Sequence, residues 1–281
     1  LTTIAAGAHA DYQDWCGWTD LAARIGPENV PNGEGVILGQ VETADENGYY
    51  LAFDTSADPA DPNFSGKWVQ RRSGGTQNPS SHATMVGGMC YGLEQGLANG
   101  IMFINGHELN DWIGTGYMHT GQGGNSPPED VIGAQKIWNN SWVGTLGDTS
   151  SDHDLLRRLD WVVSRDDVVA VVGLNNGTQQ QPLLSYGFNS IAVGCRDGDH
   201  ASGDVPAPYE GSGRMRPDLV APLFTTSEST ATVSAAVAML VEQVRDAANA
   251  LHADGERAEV IKAVLMASAT HNGIIGETWS N

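Results

Sequence analysis

The chain has 281 residues, 40% of them hydrophobic, which is enough for one large α/β domain or two small ones. Its formal net charge is -20, from 34 acidic and 14 basic residues, and the sequence shows no basic stripe to neutralise phosphates, so we expect no nucleic-acid partner. No run of about 18 apolar residues is present to cross a bilayer, and the start of the chain lacks the layout of a signal peptide.

Short apolar runs rich in β-branched residues, each followed by turn signals, predict strands. They cover residues 36–41, 101–104, 168–172 and 190–195. Apolar character that is continuous rather than alternating is typical of strands buried on both faces, as in a parallel sheet covered by helices. Two segments rich in Gly, Pro, Asn, Asp and Ser predict loops, at residues 45–80 and 105–130.

Helical patterns lie between and after these strands, at residues 83–98, 152–164, 230–253 and 257–269. The first and third are apolar nearly all round and built from small residues, so we expect them at the centre of the domain, packed close to the sheet. Because strands and helices alternate, the predicted fold class is α/β, a three-layer doubly wound sandwich with a mainly parallel central sheet. One domain covering residues 1–281 is expected.

Ser227 and His82 stand where the chain enters the two small-residue helices. A serine at a helix start meets the positive end of the helix dipole, which stabilises developing negative charge. Histidine is the usual general base for a serine because it takes up a proton near neutral pH. Each residue also has an ordinary alternative, since Ser227 could cap its helix and His82 could be structural.

Glu42 and Asn175 follow two of the predicted strands. A carboxylate at this position could accept the second imidazole proton of His82 and hold the ring in its working tautomer. A side-chain amide could donate to an oxyanion. Taken alone, Glu42 could equally be a solvated acid and Asn175 a turn asparagine. In chain order, however, the four residues give acid, base, amide and nucleophile, which is the order of the subtilisin arrangement.

The motifs around these residues resemble those of subtilisin-like serine peptidases, the subtilases. Residues 225–240 resemble the nucleophile motif and its alanine-rich helix. Residues 82–88 look like the His-Gly-Thr-His-Val-Ala-Gly motif, and residues 36–44 are similar to the acid-bearing strand, with Glu42 in place of aspartate. Three further segments agree with the family pattern, at residues 140–142, 216–222 and 261–266.

The resemblance implies a subtilisin-like fold and a serine endopeptidase with Ser227 as nucleophile, His82 as base, Glu42 as the orienting acid and Asn175 in the oxyanion hole. Asp45 and Asp54 remain as other acids that could orient His82. The resemblance also implies which residues line the substrate cleft: Ser141, Trp142, Val143, Leu174 and Thr225. The last three stand where the family carries glycine, so we expect a narrowed pocket that selects small side chains or accepts few substrates.

This chemistry needs no metal or organic cofactor, and although many subtilases carry structural calcium, no spacing in this chain specifies a calcium site. Three cysteines cannot all pair. We expect a monomer outside the cell that acts on a protein or peptide substrate and binds neither nucleic acid nor membrane. The main alternative is a catalytically impaired subtilase-like protein that binds peptides or a partner. An esterase or amidase of another α/β fold would need a Gly-x-Ser-x-Gly elbow, which the sequence lacks.

Overall fold

The computed structural model describes residues 12–56, 59–120, 126–246 and 254–269. The strands of its central sheet are β1 (Ile37–Glu42), β2 (Trp68–Arg71), β3 (Phe103–Glu108), β4 (Gln135–Asn140), β5 (Val169–Gly173), β6 (Ile191–Gly194) and β9 (Leu219–Val220). Between β6 and β9 the chain forms a small antiparallel pair, β7 (Gly203–Asp204) and β8 (Met215–Arg216). The order across the sheet is β2-β3-β1-β4-β5-β6-β9, and every neighbouring pair is parallel.

Helices connect and flank these strands. They are α1 (Trp18–Ile25), α2 (Ser81–Tyr91), α3 (Thr149–Asp166), α4 (Thr226–Asp246) and α5 (Ala258–Ser268), with a single α-turn Leu109–Asp111 that continues into the π-helical turn Trp112–Gly116. Short 3-10 turns lie at Pro27–Asn29, Pro62–Phe64, Arg196–Gly198 and Ala207–Tyr209. The predicted fold class, a doubly wound α/β sandwich around a mainly parallel sheet, is confirmed.

The two small-residue helices pack where the sequence predicts them. α2 and α4 contact each other, and α4 also contacts β4, β5 and β6. The inward residues of α4 are fully buried alanines such as Ala231, Ala235 and Ala238, and short side chains let a helix approach a sheet closely. This packing brings the first turns of both helices to the edge of the sheet where the parallel strands end.

The sequence did not predict the strands β2, β4, β7, β8 and β9. β2 lies inside the predicted loop 45–80, and β4 carries polar residues that interrupt the apolar pattern, yet all six of its residues are buried. Its polar side chains are tolerated because several of them find buried partners, as when the Asn139 amide accepts a hydrogen bond from Ser234 at 2.9 Å. The predicted strand 101–104 in fact begins at Phe103 and extends to Glu108, so the predicted loop 105–130 starts too early.

Helix ends also differ from the prediction. α2 stops at Tyr91 rather than at residue 98, because the Gly92 N–H donates back to the Gly87 and Gly88 carbonyls and the chain leaves the helix there. α4 begins at Thr226, four residues before the predicted start, and the predicted residues 247–253 lie outside the described residues. The three cysteines are unbridged.

Candidate active site

The structure brings Glu42, His82 and Ser227 together. Glu42 is the last residue of β1, while His82 and Ser227 each occupy the second position of their helices, α2 and α4. Glu42 Oε2 lies 2.7 Å from His82 Nδ1, and His82 Nε2 lies 3.1 Å from Ser227 Oγ. Both distances are those of hydrogen bonds, so the carboxylate, the imidazole and the hydroxyl form one continuous chain of contacts.

Burial differs sharply along this chain of contacts. The Glu42 side chain is 1% exposed, whereas the His82 side chain is 46% exposed. The hydrogen bond with Glu42 raises the pKa of His82 above 6.5, while partial burial acts in the opposite direction and the negative charge of Glu42 adds to the increase. A buried acid behind an accessible imidazole leaves one ring nitrogen fixed and the other free to exchange a proton with the serine.

The side chain of Ser227 faces His82 and does not cap its helix. Besides the contact with His82, Ser227 Oγ is 3.3 Å from the Ser141 carbonyl oxygen, and Ser141 Oγ donates to the Ser227 carbonyl at 3.1 Å. Asn139 Nδ2 donates to Ser141 Oγ at 3.1 Å, which links this pair to the end of β4. The Ser227 hydroxyl is therefore fixed from the sheet as well as from its own helix.

The capping role at the start of α4 belongs to Thr225 and Glu228. Glu228 Oε2 accepts from the Thr225 backbone N–H at 3.1 Å, and Thr225 Oγ1 accepts from the Glu228 N–H at 3.2 Å. This reciprocal Thr-x-x-Glu arrangement is a capping box, and it gives Thr225 a structural role at the helix start. A sequence search for capping boxes could have found it.

The first turn of α4 leaves one backbone donor free. Asn176 Oδ1 accepts from the Thr226 N–H at 3.0 Å, the Glu228 N–H is bound by the cap, and the Ser229 N–H donates to the Thr225 carbonyl. Within the described part of the chain the Ser227 N–H has no acceptor. A free N–H at a helix N-terminus beside a hydroxyl nucleophile is suited to stabilise an oxyanion.

Asn175, the predicted side-chain donor, lies after β5 on the same side. Its amide nitrogen donates to the Gln179 carbonyl at 2.9 Å. An amide nitrogen carries two hydrogens, so one N–H remains for another acceptor. The neighbouring Asn176, which the sequence analysis did not single out, is the asparagine that contacts the start of α4.

The predicted cleft residues differ in accessibility. Trp142 and Leu174 are 7% and 3% exposed, and Trp142 packs near Trp112 while its indole N–H donates to Asn140 Oδ1 at 3.1 Å. Val143 and Thr225 are partly exposed. Two of the predicted cleft residues are therefore core side chains, and two are partly open to solvent.

Asp45 and Asp54, the other acids considered for His82, are engaged in their own loops. Asp45 Oδ1 accepts from the N–H groups of Asn47 and Tyr49 at 2.8 and 2.9 Å. Asp54 Oδ1 accepts from the Ser56 N–H at 2.9 Å and its Oδ2 from the Ala60 N–H at 3.1 Å. Glu42 is thus the acid that contacts the imidazole.

Two further features concern metal binding and membrane insertion. Across the residues that the structure describes, no group of three or more His, Cys, Asp or Glu side chains is arranged to hold a metal ion. No helix in that part of the chain is long and apolar enough to span a membrane.

Solved protease structures share this fold at low sequence identity. No protein-family model and no curated protein matches the sequence. The prenylagaramide maturation protease PagA is 16% identical with a TM-score of 0.55, covering 90% of this chain and 88% of that one. The protease domain of PatA is 17% identical with a TM-score of 0.56, covering 86% and 90%. The MycP3 protease of a type VII secretion system is 16% identical with a TM-score of 0.52, covering 92% and 82%. At this identity the similarity concerns the fold.

Proposed function

We propose that this protein is a serine endopeptidase that uses a Ser-His-Glu variant of the subtilisin triad. The observation that carries the proposal is the unbroken contact from Glu42 through His82 to Ser227, at 2.7 and 3.1 Å. The shared fold with proteases and the subtilase-like motifs support the same assignment. Fold similarity alone would not support it, because one fold hosts many functions.

In the proposed reaction, Ser227 Oγ attacks the carbonyl carbon of the peptide bond while its proton moves to His82 Nε2. The tetrahedral intermediate then collapses, the C–N bond breaks, and the departing amine takes the proton from His82. Water repeats the sequence on the acyl-enzyme, releasing the carboxylic acid and restoring Ser227. The carboxylate of Glu42 stabilises the imidazolium that forms in each half-reaction.

The oxyanion of the tetrahedral intermediate needs donors. The Ser227 N–H, which is free of other acceptors within the described residues, and the second amide N–H of Asn175 are the proposed pair. Losing one such donor costs on the order of 100-fold to 1,000-fold in turnover. No metal or organic cofactor enters this chemistry, and a monomer acting on protein or peptide substrates outside the cell is proposed.

The proposed specificity is for small side chains before the cut bond. Leu174 and Trp142 are nearly inaccessible and Val143 occupies the position of a family glycine, so bulky substrate side chains would meet filled space. A peptide library read by mass spectrometry should show cuts after small residues. Efficient cleavage after Phe or Tyr would contradict a narrowed pocket.

A fluorophosphonate tests the proposed function without knowledge of the right peptide. The Oγ of an activated serine displaces fluoride and forms an O–P bond, which intact-mass measurement detects. We expect a single adduct on the folded protein and none on Ser227→Ala or His82→Ala. The absence of an adduct on well-folded protein would contradict the peptidase assignment and favour a subtilase-like binding protein.

A further inference from the structure

The carboxylate of Glu42 is held by a second buried side chain. Gln40 lies two residues earlier on β1, on the same face of the strand, and is 3% exposed. Its Nε2 donates to Glu42 Oε1 at 2.8 Å and to the Ala83 carbonyl, at the start of α2, at 3.0 Å. Each carboxylate oxygen of Glu42 therefore has one partner, Gln40 on one side and His82 on the other.

A third buried group fixes the orientation of the Gln40 amide. Tyr91, the last residue of α2, is fully buried, and its hydroxyl donates to Gln40 Oε1 at 2.5 Å. Burial above all raises the pKa of Tyr91 well above its ordinary value, so the phenol keeps its proton. The Glu42 carboxylate and the Ala83 carbonyl accept hydrogen bonds, so both need the amide nitrogen of Gln40. The phenol proton needs an acceptor, which is the amide oxygen. The Gln40 amide therefore has one satisfactory orientation.

The sequence of α2 leaves room for this contact at Gly87. A β-carbon placed there would lie 2.6 Å from the Tyr91 hydroxyl oxygen and 2.9 Å from the Ala52 β-carbon. Any other residue would displace the tyrosine or the loop beneath it. Gly87, Tyr91 and His82 thus belong to one helix, and the absence of a side chain at Gly87 leaves space for the Tyr91 hydroxyl.

We infer that Gln40 and Tyr91 are positioning residues that hold the Glu42 carboxylate against His82. Glutamate has one more rotatable bond than aspartate, so fixing its carboxylate costs more conformational entropy, and a misplacement of about 1 Å can reduce a catalysed rate on the order of 100-fold. The buried amide and phenol confine the longer side chain to the geometry that the imidazole needs. This inference rests on the proposed function, although its first readout does not require activity.

The first readout is the pKa of His82, measured by NMR titration. The measurement uses the Ser227→Ala variant, which cannot digest itself. In Gln40→Met, which keeps the volume but removes the amide, the Glu42–His82 contact loosens and the pKa of His82 should fall towards 6.5. Tyr91→Phe should move it in the same direction by less. Tyr50→Phe is the matched control. The Tyr50 hydroxyl is also buried, but it donates to the Ser73 carbonyl, at a distance of 2.7 Å, and contacts no member of the triad. An unchanged or higher pKa of His82 in Gln40→Met would overturn the inference.

The second readout is the rate of fluorophosphonate labelling with Ser227 intact. We expect a loss on the order of 10-fold to 100-fold in Gln40→Met, a smaller loss in Tyr91→Phe and less than about 2-fold in Tyr50→Phe. Because Tyr91 acts through Gln40, the double variant should label no more slowly than Gln40→Met alone. Additive losses, or equal losses in Tyr50→Phe, would overturn the inference while leaving the proposed function intact. A wild-type protein that does not label contradicts the function, and the titration still decides the inference.

Discussion

Two histidines on opposite faces of the sheet have opposite electrostatic environments. His82 begins α2 and contacts the carboxylate of Glu42, which raises its pKa above 6.5. His107 lies on β3 opposite Val41, so its side chain points away from the face on which Gln40 meets α2. It is 3% exposed, packs 5.0 Å from the ring of Trp138, and burial lowers its pKa to about 3, with a smaller contribution from Arg72.

The surroundings of the two histidines show what a base requires. On the α2 face, Glu42, Gln40 and Tyr91 form paired hydrogen bonds around His82. On the other face, His107 Nε2 and the Trp112 indole N–H have no hydrogen-bond partner among the described residues, and the contacts are between rings. A histidine that must accept and return a proton needs a fixed acid behind it. The aromatic side chains around His107 exclude water, and this burial disfavours the charged form of the imidazole.

The largest effect is expected when the acid is removed from His82, which makes it more like His107. Glu42→Gln should slow fluorophosphonate labelling at pH 8 about 1,000-fold to 10,000-fold, because a neutral amide neither stabilises the imidazolium nor selects the working tautomer. Asp45→Asn removes a loop acid instead and should label within about 2-fold of the wild-type rate. A loss of less than about 10-fold in Glu42→Gln would show that another group orients the ring.

A shorter acid sharpens the comparison. Glu42→Asp keeps the charge but withdraws the carboxylate from both His82 and Gln40, and we expect labelling to slow about 10-fold to 100-fold. The measurement is the same second-order labelling rate, with the mass of the adduct confirming one site. A rate equal to or above that of the wild type would show that the backbone already accommodates aspartate, and the glutamate-specific geometry would be wrong.

The buried, neutral state of His107 on the opposite face can be tested through the stability of the protein in acid. The unfolded state binds a proton at His107 below about pH 6.5, whereas the native state does so only near pH 3, so this residue destabilises the fold increasingly as pH falls between those values. Between pH 7 and 4.5 the free energy of unfolding of the wild type should fall by on the order of 2 kcal/mol more than that of His107→Leu. Parallel curves from urea unfolding at the two pH values would contradict a neutral buried His107.

The smallest effect concerns the helix start beside the nucleophile. Thr225→Ala removes the cap and should lower the free energy of unfolding by about 1 kcal/mol, while Thr225→Gly should lower it by only a few tenths. Urea unfolding of both variants measures the difference. If both leave stability unchanged but widen the range of cleaved peptides, Thr225 acts on substrate rather than on the helix.

The sequence predicted the parts of the site that carry a local signal. Glu42 ends a continuous apolar run, and His82 and Ser227 open helices of small residues, so their positions at the strand ends followed from pattern and order along the chain. The exact start of α4 did not follow, because Thr225 and Glu228 fix it through a capping box that the apolar pattern does not register.

The parts that the sequence did not predict depend on tertiary contacts. β4 was missed because its polar side chains meet their partners only in the folded chain, as when Asn139 contacts Ser141 and Ser234. The role of Gln40 gave no signal within the run 36–41, because its partner Tyr91 is distant in sequence. His107 looked like a loop histidine because β3 continues further than its apolar run.

The most direct test of the central claim is the titration of His82 in the folded Ser227→Ala protein, assigned by comparison with a His82→Gln variant. The paired environment predicts a pKa above 6.5 that drops when Glu42→Gln is added. A pKa at or below 6.5, unchanged by removal of the carboxylate, would show that Glu42 does not hold the imidazole and would contradict the Ser-His-Glu assignment.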